Sequence, residues 1–286
     1  MISSVHSLSP VNIIPPAFGR PPVIETVMGV QFEPIAGFAN AHLGLFWARL
    51  GGRASWPFAA DQPPLDQDFE RFGDALEWMP MNSLRFGVSQ TPISRMQLSN
   101  AAKDRMVQLQ NGRLIYNWLG ADGRDYVRYE KIRPDFDSLQ REFQEFLADQ
   151  QLPALIPNQW EITYLNHLPK GTVWHDPADW RHVFSFHAVP QPEVNQSRLE
   201  SFNGSWAYEI EPHRGRLRMQ IQHGRSDKGT ELLVFKLTAR GPIREGDGAV
   251  DTLGDGISLG HDIIVKAFGE LTSSGSQAYW EKELPK

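Results

Sequence analysis

Several stretches of this chain alternate apolar and polar residues, the pattern of a strand with one buried face. Residues 22–32 form a β-branched and aromatic run that opens near Glu25, and residues 158–168 repeat the design with Glu161. Residues 83–90 set Leu84, Phe86 and Val88 against Arg85, and residues 93–99 set Met96 and Leu98 against Arg95 and Gln97. Residues 104–110 and 113–119 flank Asn111-Gly112, a hairpin signal because both turn positions favour positive φ. Further strands are predicted at 196–202, 205–212, 216–223 and 230–240. Their turns fall at Asn203-Gly204, at 212–215 and through 223–229.

Three stretches switch to helical period. Asn40 precedes Leu43, Phe46, Trp47 and Leu50, and Gly51-Gly52 ends that run. Pro134 and Asp135 open a second helix with the stripe Phe136, Leu139, Phe143, Phe146 and Leu147. A third, at 257–273, carries Leu259, Ile263, Ile264, Ala267, Phe268 and Leu271. Residues 53–80 are rich in proline and acid and read mostly as loop, with a short helix at 65–78. Residues 152–157 read as a linker and 242–256 as a glycine-rich loop. Over 169–195 the pattern leaves a short helix at 177–183 and a strand at 183–189 both open.

The fold class that follows is α+β: two pseudo-repeated β-α-β4-α halves, with antiparallel sheets each packed against a long helix. Residues 1–21 are an extended proline-rich arm, 22–151 and 158–274 are the halves, and 275–286 are a tail. The element order is similar to TATA-binding-protein repeats and helix-grip domains, an analogy of fold that carries no function.

Composition narrows the classes. A net charge of −6 with a pI near 5.9, its acids and bases shared evenly along the chain, disfavours a nucleic-acid binder that works by bulk electrostatics. The absence of cysteine excludes disulfides, thiolate metal sites and a cysteine nucleophile. Neither a signal peptide nor a membrane-length apolar run is evident, so a cytoplasmic protein without membrane association is expected.

Among chemistry-bearing groups, His175, Asp176, His182 and His187 offer nitrogen and oxygen ligands for a metal-dependent hydrolase, at a spacing that matches no compact motif. His261-Asp262 reads as a dipole-complementing pair at the start of the last helix. No nucleophile elbow, phosphate loop or dinucleotide fingerprint occurs, so no cofactor is expected. The polar sheet face is more suggestive. Arg85, Arg95, Gln97, Arg216, Arg218 and Gln220 fall on it, and arginine and glutamine donate in the planar geometry that phosphates and carboxylates accept. Tyr116 and Trp118 are the few aromatics available there for stacking.

The landmarks Pro-Pro-Val-Ile-Glu (21–25), His42-Leu43-Gly44 with Phe46-Trp47, Leu84-Arg85-Phe86, Gln108 with Asn117-Trp118, Tyr126 to Glu130, Glu161 to Asn166 and the 261–271 helix together resemble a sporadically distributed bacterial protein family of unknown function. The resemblance implies an accessory role, such as defence or mobile-element biology, and brings no catalytic residues with it. The preferred expectation is a non-enzymatic protein that recognises a macromolecular partner or anionic ligand through the Arg/Gln face or a groove between the lobes. A hydrolase at the histidine cluster and a homodimeric interaction protein are the alternatives.

Overall fold

A computed structural model of the protein describes residues 16–72, 94–120, 126–186, 198–243 and 250–283. Among these residues nine strands form one antiparallel sheet: β1 (Val23–Phe32), β2 (Phe58–Gln62), β3 (Arg95–Ser99), β4 (Arg105–Gln110), β5 (Arg113–Leu119), β6 (Pro157–Pro169), β7 (Asn203–Ile210), β8 (Gly215–Arg225) and β9 (Glu231–Pro242). Their spatial order is β2-β3-β4-β5-β1-β6-β9-β8-β7. β1 therefore lies inside the sheet, with Met28 opposite Tyr116 of β5 on one side and Ile162 of β6 on the other. What sequence left open, one sheet or two lobes, resolves as one continuous sheet.

Among the described residues six α-helices accompany the sheet: α1 (Asn40–Arg49), α2 (Gly52–Ser55), α3 (Tyr129–Asp149), α4 (Trp180–Val183), α5 (Leu253–Leu271) and α6 (Ser274–Tyr279). Period two on the strands sends Met28, Val30 and Phe32, then Trp160 and Ile162, then Phe235 and Leu237 to the face where the core forms. α3 buries the stripe expected of it, and Phe143 meets Phe46 of α1 at 5.2 Å and Phe32 of β1 at 5.8 Å between ring centroids. Each fully buried phenylalanine contributes roughly 1.5–3 kcal/mol of transfer free energy. α5 comes close to the sheet because Gly256 and Gly260 present no Cβ to Trp160.

Several boundaries differ from the sequence reading. The stretch read as loop contains β2, an edge strand exposed along most of its length. Residues 65–72 form no helix, and 73–78, the rest of the helix expected there, lie outside the described residues. α3 begins at Tyr129 and holds Pro134 inside its second turn, where the ring forfeits one backbone bond. Residues 198–202 form no strand, and Asn203-Gly204 starts β7 instead of a turn: both pair with β8, and Asn203 Oδ1 accepts the His223 amide at 3.1 Å. Only three strands, β7 to β9, follow β6 among the described residues. The Asn111-Gly112 hairpin forms, but only Gly112 takes positive φ (106°). Asn111 spends its side chain on the Ile35 amide (2.7 Å) and the Ile35 carbonyl (3.1 Å).

α5 starts at Leu253, capped by Thr252, whose hydroxyl accepts the Asp255 amide at 3.1 Å, so the Gly254–Gly256 stretch is helix rather than loop. Residues 177–183 are a 3₁₀ turn followed by α4. The end of the chain is more than a tail: α6 lies there, and Trp280 is buried against Phe268. Phe18 of the N-terminal segment bridges to Lys282 and packs edge-on against Phe268. Residues 83–90, with Arg85, lie outside the described residues. No described helix is long and apolar enough to cross a membrane.

Candidate functional site

The sheet's second face carries the arginines and glutamines singled out from sequence, and part of the chain lies across it. Residues 63–72 leave the end of β2 and run over the strands as a strap. Leu65 exchanges two bonds of 2.8 Å with the Gln110 side chain on β4. The Asp68 amide donates to Gln31 on β1 (3.0 Å), and the Glu70 amide to Gln159 on β6 (3.3 Å). The Asp68 carboxylate accepts from Arg240 on β9 at 3.0 Å. The Glu70 carboxylate, its side chain 1% exposed, accepts from both Arg216 and Arg218 on β8. Arg216 also donates to the Arg71 carbonyl at 3.1 Å and stacks over Phe72.

These contacts change the picture of the expected binding set. Arg216 and Arg218 hold the chain's own carboxylate, with 14% and 35% of their side chains exposed. Arg95 donates to Gln108 and to the Pro63 carbonyl, and burial lowers its pKa. Gln97 faces Ala60 and Gln108 across its neighbours, and Gln220 is exposed. Nor do the residues converge, because β3 and β8 stand six strand spacings apart, roughly 29 Å. Tyr116 and Trp118 point the other way, into the core. Glu25 and Glu161 are on this face: Glu25 accepts from Asn117 at 2.6 Å with its carboxyl raised by burial, and Glu161 pairs with Arg240.

The alternative metal set does not assemble among the described residues, where no group of three or more potential ligands is gathered. Asp176 caps the 3₁₀ turn through the Ala178 amide (3.0 Å). Asp179 accepts the His175 and Asp176 amides, which hold its carboxyl below the usual range. His182 is exposed. His187 lies outside the described residues.

The best-formed site is on the helical side. A cavity of about 470 Å³ opens where the start of α3, the middle of α5 and strands β1, β6 and β9 meet, with Pro16, Ala17 and Phe18 along its rim. Val23, Leu237, Ile264 and Phe268 give it apolar walls. Its polar groups come from β6, α5 and the start of α3, with Tyr126 and Arg128 just before it. Tyr164 shares a 2.8 Å hydrogen bond with His261 Nδ1, and the Tyr129 ring lies flat on the imidazole, 3.8 Å between centroids and 5° between planes. Burial lowers the His261 pKa against the opposing pull of Asp262 and Glu130, and raises the Tyr164 and Tyr126 hydroxyls. The imidazole and these phenols are thus kept neutral by burial, while Arg128, Glu130 and Asp262 bring charged side chains to the same lining.

Asn166, 1% exposed, completes the site. Its amide donates to the Phe235 carbonyl at 3.0 Å, while its Oδ1 is buried with no hydrogen-bond partner among the described residues. An unpaired buried acceptor costs about 1–3 kcal/mol until a donor meets it.

Sequence reasoning passed over this site. The sequence pattern puts the His261-Asp262 pair at the start of the last helix, but α5 begins earlier and His261 sits two turns in, facing β6. A signal was present all the same: Tyr164 and Asn166 share the phase of Trp160 and Ile162, so polar groups fall on the buried face of β6. Comparisons of the chain with protein-family models, with curated proteins and with solved structures find no match.

Proposed function

We propose that this is a non-enzymatic binding protein that holds a small, largely apolar molecule in the groove between α3 and α5. The observation that carries the reading is the 470 Å³ cavity itself, whose largely apolar wall includes Asn166, a residue with an unpaired buried acceptor. The volume suits a compact organic ligand, and apolar walls with a few convergent polar groups are the usual composition of such sites. The ligand lays its apolar body between Phe268 and Leu237, and a small turn of the Asn166 side chain lets its unpaired Oδ1 accept a ligand hydroxyl or N–H. The buried Tyr164, Tyr126 and His261 favour a neutral body on the ligand, and Arg128, Glu130 and Asp262, also in the lining, are available to a polar substituent.

The same reading takes the chain as two pseudo-repeated halves with the groove between them. In support, the first strand of each half lies beside its last, β1 by β5 and β6 by β9. An accessory role in a bacterial host remains the biological setting that the family resemblance suggests.

The test is native mass spectrometry of protein purified gently from a bacterial host, beside the Asn166→Leu variant. Expected is a small-molecule adduct on the wild type that is lost on denaturation and absent from the variant. A panel of neutral aromatic and alicyclic alcohols and amides should also raise the wild-type melting temperature, because a ligand at a hundredfold its Kd adds about 2.7 kcal/mol. Bare masses for both proteins and no shift from any compound overturn the reading.

A further inference from the structure

The strap on the opposite face leads to a second, independent site. We infer that Arg216, Arg218 and Arg240 form a cradle for an extended acidic peptide segment of a protein partner, with residues 68–72 of the chain as its resident occupant. The strap shows what the cradle accepts. Two carboxylates stand two residues apart, Asp68 on Arg240 and Glu70 on Arg216 and Arg218, with Phe72 two further on under the Arg216 guanidinium. In an extended chain those three side chains project to the same side. Arg216 and Arg240 are directly opposite each other in the β8–β9 register, which places the cations at the matching interval. Side-chain amides of the sheet, Gln31 and Gln159, take the backbone N–H groups of residues 68 and 70 whatever side chains those residues carry.

The manner of attachment separates this strap from a structural element. The hydrophobic core formed by the described residues takes nothing from residues 63–72. Phe69 is 45% exposed, and the Asp68 side chain is 62% exposed. The strap joins no strand ladder, and β8 and β9 keep their own pairing beneath it. Its contacts are polar and charge-assisted, so an outside segment can replace them one for one with the sheet intact. With the strap lifted, three guanidiniums are left with Glu161 on Arg240 and with Glu209, which stands opposite Arg216 on β7 and already pairs with His213, an imbalance that calls for an anion.

The probe is a synthetic labelled peptide of residues 63–72, Pro-Pro-Leu-Asp-Gln-Asp-Phe-Glu-Arg-Phe, titrated onto the full chain carrying Asp68→Ala and Glu70→Ala. Saturable binding is expected by anisotropy. It should weaken at least about tenfold when the peptide's carboxylates at positions 68 and 70 become amides, the scale of a lost charge-assisted hydrogen bond. Adding Arg216→Ala and Arg218→Ala to the chain should abolish it, and with Glu70 already gone no carboxylate is left buried and unpaired. On the wild-type chain, excess peptide should speed hydrogen exchange at the Asp68 and Glu70 amides, a readout that stands even if the variant does not fold. No binding to the folded variant, or no change in wild-type exchange, overturns the proposal. So does a single-stranded oligonucleotide that binds as tightly as the peptide.

Discussion

His261 sits between a phenol that shares a hydrogen bond with its Nδ1 and another that covers its face, and burial lowers its pKa below the ordinary 6.5. As pH falls through 6.5, the unfolded chain takes up a proton that the folded chain resists. The stability that neutral His261 contributes is therefore whole above about pH 6.5 and declines below it. Glu25 acts in the opposite sense, since burial raises its carboxyl and the folded chain holds that proton more readily. Urea unfolding at pH 7.5 and pH 5.5 should show a loss at the lower pH that shrinks in His261→Gln; an equal loss in both proteins would contradict the assignment. Asn166 makes the companion point: one amide on the apolar phase of β6 turns a packed wall into a place for a ligand.

Among the elements, α1 and α5 each carry glycines, with opposite consequences. A Cβ on Gly44 would meet nothing within 4 Å, so Gly44→Ala should stabilise by about 0.5–1 kcal/mol through helix propensity alone. On Gly260 a Cβ would fall 2.5 Å from Ile162 and 2.6 Å from Trp160, and Gly260→Ala should destabilise by about 1–3 kcal/mol despite the same gain. Thermal unfolding of both variants checks the contrast. The elements that sequence located well are those whose signal is local and repeated: the α1 and α3 stripes and the alternation of Arg216 to Gln222 along β8. It misplaced those fixed by distant partners. Asn203-Gly204 carries a turn signature, but β8 runs far enough to need a neighbour there, and pairing prevails. The strap has no periodicity to read, because its bonds go to side chains on strands far along the sequence. Helical period in the last helix was clear, yet Thr252 lies before a run of glycines that masks its start, and this hid the inward place of His261.

For the whole molecule, the β1–β6 pair matters most. Register runs from Val23 opposite Asn166 to Phe32 opposite Pro157, and Gln31 donates to Asn158 at 3.2 Å beside it. The described strands thus form one cooperative sheet rather than two sheets in contact. Calorimetry should show a single transition coincident with loss of tryptophan fluorescence, and two resolved transitions would argue against this unity. Residues 22–151 expressed alone would present β1 as an open edge, and self-association of that fragment is the expected result.

The central position of β1 also bears on biosynthesis. Gln31 and Asn158 are 127 positions apart, so the first strand to leave the ribosome waits for the sixth. At about 5–20 residues per second, that wait is on the order of ten seconds. A nascent chain therefore carries one unpaired strand edge through much of its synthesis, and the interval before residue 169 emerges is when a chaperone has most to protect.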